Sequence, residues 1–269
     1  MENIVLLKFI TKQFFVSLII FIGLTSCQKV INIDLNSAAP QMVIEGNITD
    51  QPGPYAVYLS QTVNFSETNV FPPVTGANVI ISDNLGNTEM LTESSSGKYV
   101  TSVLHGTPGR TYSLSVTANG KTYTASSTMP NPVNIDTLVN KKEGFGHEMS
   151  WSARFLDPAG KDNYYALFLK INNVIQSNFS STDDHLRDGD TIDMRIPIPR
   201  DLTLKSGDSV NVILESIDQN VREYFRLLRQ LNRNGIQSAP PANPVNNLTG
   251  GALGYFSAHA DRKKILVIP

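Results

Sequence analysis

The stretch that decides the fold is Thr111-Tyr-Ser-Leu-Ser-Val-Thr-Ala118, followed by Asn119-Gly120 and Lys121-Thr-Tyr-Thr-Ala-Ser-Ser127. Apolar and polar residues alternate through the first segment, which is the period of a half-buried β-strand. Asn-Gly between two such segments is a strong hairpin signal, because a type I′ turn needs positive φ at both central residues. The sequence therefore predicts an antiparallel hairpin whose first strand buries Tyr112, Leu114 and Val116.

Short strands of the same kind precede this hairpin. Turn-forming pairs such as Pro52-Gly53, Ser96-Gly97 and Pro108-Gly109 separate them, and a strand every 8–12 residues or so is typical of an all-β sandwich. We therefore expect residues 27–130 to form an immunoglobulin-like or transthyretin-like β-sandwich domain. Its other predicted strands are Val30–Leu35, Gln41–Ile48, Tyr55–Gln61, Ala77–Ser82, Asn87–Thr92 and Lys98–Val103.

A second β-rich region follows Met129-Pro-Asn-Pro132, where two prolines predict a short stiff linker. Residues 131–269 are predicted to form a second domain of α+β type, with Ser209–Ser216 as a central strand. Two closing strands are predicted at Ala252–Ala258 and Lys264–Ile268. The whole chain is thus expected to be mainly β, with one amphipathic helix.

That helix is predicted over about 219–234. Asp218 is a typical N-cap residue, and Gly235 supplies a C-terminal stop. Apolar residues recur at helical spacing and should form one buried stripe. The stripe consists of Val221, Tyr224, Phe225, Leu228 and Leu231.

Composition excludes several classes of protein. The 269 residues carry a net charge of −2, with 41% hydrophobic and 17% charged residues, so the chain is neither disordered nor rich in the basic residues of a nucleic-acid binder. A single Cys excludes a disulfide framework and any site built from several Cys ligands.

The N-terminus carries an export signal. Lys8 and Lys12 precede the apolar run Phe14–Leu24, which is shorter than the ~20 residues needed to span a bilayer. The run ends at Leu24-Thr25-Ser26-Cys27, which resembles a bacterial lipobox. That resemblance implies that residues 1–26 are a signal peptide and that Cys27 receives a diacylglyceryl group. The chain would then be anchored in the outer membrane. The sequence is compatible with attachment to either the periplasmic or the surface face of that membrane.

Several blocks resemble one family in the same order along the chain. They are Lys29–Asp34, Val43–Asp50, Gly53–Ser60, Pro72–Val79, Asp83–Gly86, Gly97–Tyr99, Pro241–Asn247 and Gly250–Ala258. The chain resembles the Bacteroidota envelope lipoproteins known as domain of unknown function 4249. The resemblance implies an envelope lipoprotein linked with TonB-dependent outer-membrane receptors, and it brings no catalytic residues with it.

Candidate sites for chemistry are few. The four His residues, at 105, 147, 185 and 259, lack the close spacing of zinc ligands, and no Gly-x-Ser-x-Gly motif of a hydrolase is present. Asp184, Asp188 and Asp190 supply the hard oxygen ligands that calcium prefers. An EF-hand loop starting at Asp184 would place Leu186 and Arg195 at ligand positions, so a solvated turn is the preferred interpretation.

We therefore expect a binding or accessory protein rather than an enzyme, without a cofactor or a resident metal. Its expected partners are the membrane, through Cys27, and a TonB-dependent receptor that takes up nutrients; the ligand stays open. The alternative is a structural or adhesive envelope lipoprotein that binds no small molecule. A long irregular segment is often functional, and the Pro/Asn-rich stretch 238–247 predicts a functional surface at Asn243, Pro244, Asn246 and Asn247.

Overall fold

A computed structural model of the protein describes residues 39–64, 70–142, 149–199, 202–233 and 243–268. These residues belong to one compact unit, Ala39–Pro269. The signal peptide, the lipobox with Cys27 and the predicted strand Val30–Leu35 lie outside the described residues.

The described residues form sixteen strands and one helix. The helix, α1, runs from Gln219 to Arg233. The first eight strands are β1 (Met42–Thr49), β2 (Ala56–Gln61), β3 (Asn78–Asp83), β4 (Thr88–Met90), β5 (Thr92–Ser95), β6 (Lys98–Val100), β7 (Thr111–Ala118) and β8 (Lys121–Thr128). The others are β9 (Thr137–Lys142), β10 (Met149–Leu156), β11 (Tyr164–Ile171), β12 (Val174–Ile175), β13 (Ser180–Asp183), β14 (Thr191–Arg195), β15 (Ser209–Ile217) and β16 (Leu253–Val267).

These strands form three sheets. The large one has nine strands in the order β12-β11-β15-β16-β1-β2-β6-β5, with β13 paired beside β11. The small ones have the orders β14-β10-β9 and β4-β3-β7-β8. Most of these pairs are antiparallel, whereas β1 and β16 are parallel, with Val43 opposite Leu253. The large sheet is therefore built around strands from opposite ends of the described chain.

Each small sheet contributes to its own hydrophobic core against the large sheet. The first core combines β3, β7 and β8 with β1, β2, β6 and the first half of β16. The second combines β10 and β14 with β11 and β15, and Leu266 of β16 packs against it. Helix α1 packs on the other face of the large sheet, where Ala166 and Ile217 meet Val221 and Phe225.

The structure confirms a mainly β protein with one amphipathic helix, in a sandwich-like arrangement. Asn119 and Gly120 both have positive φ, and Tyr112, Leu114 and Val116 are at most 1% exposed, so the predicted hairpin is confirmed. Along α1 the stripe is buried at Val221, Tyr224 and Phe225, whereas Leu231 is 36% exposed.

The prediction of two closing strands is wrong, because Leu253–Val267 is one continuous strand. Its first half pairs with β1 and its second half with β15. The polar residues at its middle favour a turn by composition, yet they keep the strand register. Arg262 forms an ion pair with Asp50 at 2.7 Å, and Asp261 lies opposite Glu215. Strand pairing on both sides thus outweighs the local preference for a turn.

The predicted domain boundary falls after residue 130, in the irregular segment between β8 and β9. Members of the first core up to Met129 lie before it, and Val133 and Ile135 of the second core lie after it. Strand β16 comes from the C-terminal side of that boundary yet contributes Phe256 and Ala258 to the first core. None of the described helices has the length and apolarity to cross a membrane.

Candidate functional site

A cleft of about 360 Å³ opens on the helix-bearing face of the large sheet. Strand register builds its floor in two rows. Ser60, Val43 and Leu253 form one row across β2, β1 and β16, and Tyr58 lies opposite Glu45 in the next. Side chains on alternate strand residues face the same side. Five side chains from three strands therefore converge on one floor.

The walls of the cleft are largely apolar. Tyr224 and Leu228 come from α1, Phe71 from the segment after β2, and Asn243 and Pro244 from the segment before β16. Tyr58 and Phe71 are 47% and 55% exposed, so both aromatic side chains are accessible from solvent. Exposed aromatic rings beside a polar floor are typical of a binding surface.

Gly254 is required at the edge of this floor. Its φ is +97°, and a Cβ there would lie 2.1 Å from the carbonyl oxygen of Ile44. Any other residue would push β16 away from β1, since L-residues rarely adopt this conformation and the space is filled by backbone. The close approach of the two parallel strands at the cleft thus requires glycine, which has no side chain, at position 254.

The polar groups of the residues that line the cleft are the carboxylate of Glu45, the hydroxyl of Ser60, the phenols of Tyr58 and Tyr224, and the amide of Asn243. Burial raises the pKa of Tyr224 to about 12, with a further contribution from Glu45, so this phenol stays neutral at physiological pH. The ammonium group of Lys98 lies over the Tyr58 ring, 5.8 Å from its centre, where the negative face of the ring attracts it. Behind the wall, the rings of Tyr224 and Tyr255 lie 5.2 Å apart.

This arrangement suits binding. A ligand with a flat apolar face can stack on Tyr58 or Phe71 while a hydrogen-bond donor on its other side reaches Glu45 or Ser60. The volume is within the ~300–1,000 Å³ typical of small-molecule sites. Among the residues that line it, no nucleophile lies beside a histidine base, so the cleft offers recognition groups and lacks the pairing that nucleophilic catalysis uses.

The first part of the predicted functional stretch, 238–242, lies outside the described residues. The described part has two roles, lining the cleft and attaching this segment to neighbouring strands. Asn243 and Pro244 line the cleft. Asn246 donates to the carbonyl of Ala252 at 2.9 Å. Asn247 donates to the carbonyls of Ser126 and Phe256 at 3.0 and 2.7 Å. The hydrogen bonds of Asn246 and Asn247 therefore attach this segment to β8 and to the start of β16, and they hold the cleft wall in place.

The candidate calcium residues are only partly brought together. Carboxylate oxygens of Asp184 and Asp188 lie within 4.8 Å of each other and of Asp157, whereas Asp190 is exposed and is not one of this group. Burial raises the pKa of Asp184, and the charge of Asp157 adds to this shift. The interpretation of Asp184, Asp188 and Asp190 as a solvated turn, with calcium binding as the less favoured alternative, stays a prediction.

Hydrogen-bond donors already occupy this acidic group. Asp157 accepts hydrogen bonds from the Tyr165 hydroxyl at 2.5 Å and from the amide of Gly189 at 3.0 Å. Asp188 accepts one from the amide of Gly160 at 2.7 Å, and Asp184 one from the amide of Asn163 at 2.9 Å. These bonds tie two neighbouring loops together, which is a structural reason for the carboxylates to be there.

Of the cleft, sequence patterns located only Asn243 and Pro244, because its residues come from six separate segments. The exposed aromatics Tyr58 and Phe71 carry no special local pattern. The histidines at 105 and 185 are exposed, and His147 lies outside the described residues. His259 is 3% exposed, and the alternation Ser257-Ala-His-Ala-Asp261, which puts three polar residues on one strand face, was the signal for it.

Comparison with known proteins gives one strong match. A family model described as "Domain of unknown function (DUF4249)" matches residues 28–265. No curated protein matches the chain. Among solved structures, the chain is similar to the Yersinia pseudotuberculosis adhesin InvE, with 19% identity and a TM-score of 0.20. The match covers 65% of this chain and about half, 55%, of that chain, and at this TM-score it carries no information about fold or function.

Proposed function

The chain belongs to the DUF4249 family, and from this premise we propose that it is a lipid-anchored binding lipoprotein of the bacterial outer membrane. It presents its cleft to a TonB-dependent receptor and assists nutrient uptake by that receptor. Its role is binding and accessory rather than catalytic. The observation that carries the binding role is the cleft, whose lining combines the exposed aromatic residues Tyr58 and Phe71 with Glu45 and Ser60.

The anchor is supported by the sequence around Cys27. A basic segment, an apolar run too short to span a bilayer and Leu24-Thr25-Ser26 lead directly to the only Cys. Each buried CH₂ contributes ~0.8 kcal/mol to membrane binding, so several acyl chains on one residue hold a protein firmly. Residues 28–265 match the family, so the matched region begins directly after the proposed lipid attachment site.

The cleft favours a binding protein over the alternative of a structural or adhesive spacer. A spacer needs stable sheets and soluble loops, and neither requires aromatic side chains half-exposed above a carboxylate. A binding protein needs a concave apolar surface with a few polar groups, as Leu228, Pro244 and Glu45 provide here.

A site-specific photo-crosslinker tests the proposal in native membranes. We would place p-benzoylphenylalanine at Phe71 in the cleft and, as a matched control, at Leu85, which is 67% exposed in the turn between β3 and β4. After irradiation, adducts from the full-length lipidated protein are separated and identified by mass spectrometry. We expect a TonB-dependent receptor in the adduct from position 71 and not in that from position 85.

Two results would contradict the proposal. One is an absence of any receptor adduct from position 71 when receptors are present in the same membranes. The other is equal capture from both positions, which would show that proximity in the membrane, rather than the cleft, brings the two proteins together. A spacer protein would give either result.

A further inference from the structure

Three potential metal ligands meet on the face of the large sheet that carries α1. Glu215 of β15 lies directly opposite Asp261 of β16 in the antiparallel register. His259 is two residues before Asp261 on the same strand, so its side chain points to the same face. The side chains of Glu215, Asp261 and His259 are 16%, 12% and 4% exposed, respectively. This group is independent of the cleft residues.

The distances between these groups are those of ligands around one ion. Nε2 of His259 lies 3.3 Å from Oδ1 of Asp261 and 3.7 Å from Oε1 of Glu215, and the three ligand atoms lie within 4.8 Å of one another. Ligands about 2.1 Å from a tetrahedral zinc ion are about 3.4 Å apart. A charged hydrogen bond from imidazole to carboxylate would instead be about 2.8 Å long.

The surroundings of the imidazole also suit a metal ligand. Oγ of Ser257 lies 2.9 Å from Nδ1 of His259, and the imidazole tautomer decides which of the two atoms donates. In the tautomer in which Nδ1–H donates to Oγ, Nε2 has a lone pair. Metal-bound histidines have this arrangement, since a partner on the other nitrogen fixes the tautomer and the ring orientation. Without a cation, the Nε2 lone pair would face two carboxylates.

One carboxylate oxygen has no hydrogen-bond partner. Oδ1 of Asp261 is fully enclosed and accepts no hydrogen bond from any described residue. Buried carboxylate oxygens are nearly always paired, because leaving one unpaired costs several kcal/mol by removing it from water. Oδ1 of Asp261 is the atom that lies 3.3 Å from the imidazole. The unpaired atom is thus directed into the group of three.

The charges point the same way. Burial raises the pKa of Glu215 to about 7 and that of Asp261 to about 6, because each carboxylate has lost water that would stabilise its charge. The charges of Lys263, Arg262 and Lys170 each lower the pKa of Asp261, but burial outweighs them. Arg262 is also paired with Asp50 at 2.7 Å. A divalent cation would neutralise both carboxylates at once.

A Ser-His-Asp hydrolase site does not fit this arrangement. Ser257, His259 and Asp261 form a chain of contacts that resembles a catalytic triad. Ser257 is only 1% exposed, however, and a nucleophile must reach the substrate carbonyl. A triad also needs a substrate pocket in front of its serine, and here the serine lies behind the ring.

We propose that Glu215, His259 and Asp261 bind one divalent transition-metal ion of the zinc class. One nitrogen and two carboxylate ligands give a neutral complex, and water takes the remaining coordination position. An imidazole ligand favours zinc and its neighbours over calcium and magnesium, which prefer oxygen alone. The ion joins β15 to the middle of β16, where the strand passes from the first core to the second.

Zinc binding and thermal unfolding of the full-length protein in detergent test this site. After EDTA treatment and dialysis, Zn²⁺ is titrated against a competing chromophoric chelator, and unfolding is followed by circular dichroism. We expect one Zn²⁺ per chain and a higher Tm with Zn²⁺, because a ligand bound only by the folded state stabilises it. His259→Gln and Glu215→Gln should each weaken Zn²⁺ binding by at least about 100-fold, since loss of a mere hydrogen-bond partner of a metal ligand already costs about 10–100-fold, and they should abolish the rise in Tm.

Two control variants separate this site from others. His185→Gln removes an exposed histidine, and Asp188→Asn removes one carboxylate of the acidic group on the loops; both should bind Zn²⁺ as the wild type does. Glu215→Gln keeps the shape of the side chain, so it tests the site even if His259→Gln fails to fold. Wild-type protein that binds no stoichiometric Zn²⁺, or Glu215→Gln that binds it unchanged, would overturn the proposal. Loss of binding in either control would overturn it as well.

Discussion

Glu89 shows how one buried carboxylate joins a strand to a chain connection. It lies on β4, is 8% exposed, and accepts hydrogen bonds from the amides of Ser102 and Leu104 at 2.5 and 2.7 Å. The Ser102 hydroxyl adds another at 2.8 Å. Burial alone would raise the pKa of Glu89, but these hydrogen bonds outweigh it and hold the pKa below its usual value of 4.5.

Glu89→Gln should therefore lower the stability in a pH-dependent way. At pH 7 we expect a loss of about 2 kcal/mol, because hydrogen bonds to a charged acceptor are worth about 1.5–3 kcal/mol. The contribution of the carboxylate is fully present above 4.5, the pKa expected in the unfolded chain, and it is lost as the pH falls through the lower pKa of the folded chain. Urea unfolding of both proteins from pH 7 to pH 3 measures this difference. A difference that stays constant over this range would show that packing, not charge, is responsible.

Single residues of this kind were only partly predictable. The positive φ of Asn119 and Gly120 followed from local chemistry, because a two-residue hairpin turn needs it. The partners of Glu89, His259 and Asn247 are distant in sequence or set by strand pairing, and a local pattern contains no information on which amide or carboxylate will lie nearby.

At the scale of elements, the start of α1 depends on Asp218. One of its carboxylate oxygens accepts a hydrogen bond from the amide of Val221 at 2.9 Å, as an N-cap does. The other accepts from the hydroxyl of Ser127 at 2.5 Å, and that hydroxyl accepts from the amide of Ala258 at 2.8 Å. The cap therefore also joins the helix to β8 and β16.

Asp218→Ala should reduce the stability by about 1–3 kcal/mol, since loss of an N-cap alone costs about 0.5–2 kcal/mol and a tertiary hydrogen bond is lost with it. Asp218→Asn is the matched control, because Asn is also a good N-cap residue and should cost less than half as much. Chemical denaturation followed by circular dichroism provides both values. Equal losses in the two variants would mean that the negative charge, rather than the cap, stabilises the helix.

Elements with strong local periodicity were predictable, and those defined by distant pairing were not. The stripe of α1 repeats at helical spacing, so its buried side was evident in Val221 and Phe225. Strand β16 contains Asp261-Arg262-Lys263-Lys264, which by composition favours a turn. Only its neighbours β1 and β15 keep it extended, and the same pairing creates the floor of the cleft.

At the scale of the whole molecule, the two cores are linked by β16. Its first half completes the first core, where Phe256 packs against the space left by Gly46. Its second half pairs with β15 over the second core. The parallel pairing of β1 with β16 joins residues about 200 positions apart. Local sequence patterns carry no information on such distant pairing, so they predicted the sandwich-like layers but not this connection between them.

Residues 27–130, predicted to form a separate domain, should therefore not fold alone. This fragment lacks β16, so β1 would expose an unpaired edge and the core would lose Phe256 and Ala258. We expect poorly dispersed amide resonances and no cooperative thermal transition for the fragment, and sharp dispersed resonances for residues 27–269. A well-dispersed spectrum of residues 27–130 with a cooperative melt would show that the boundary separates two independent domains.

The proposed function depends most directly on a lipid attached to Cys27. Mass spectrometry of the N-terminal peptide, after expression in a native host, measures this directly. We expect the chain to begin at Cys27 with a diacylglyceryl mass on its sulfur and to fractionate with the outer membrane, and Cys27→Ser to lose both properties. An unmodified Cys27 in the wild type, or membrane fractionation that Cys27→Ser leaves unchanged, would contradict the proposal.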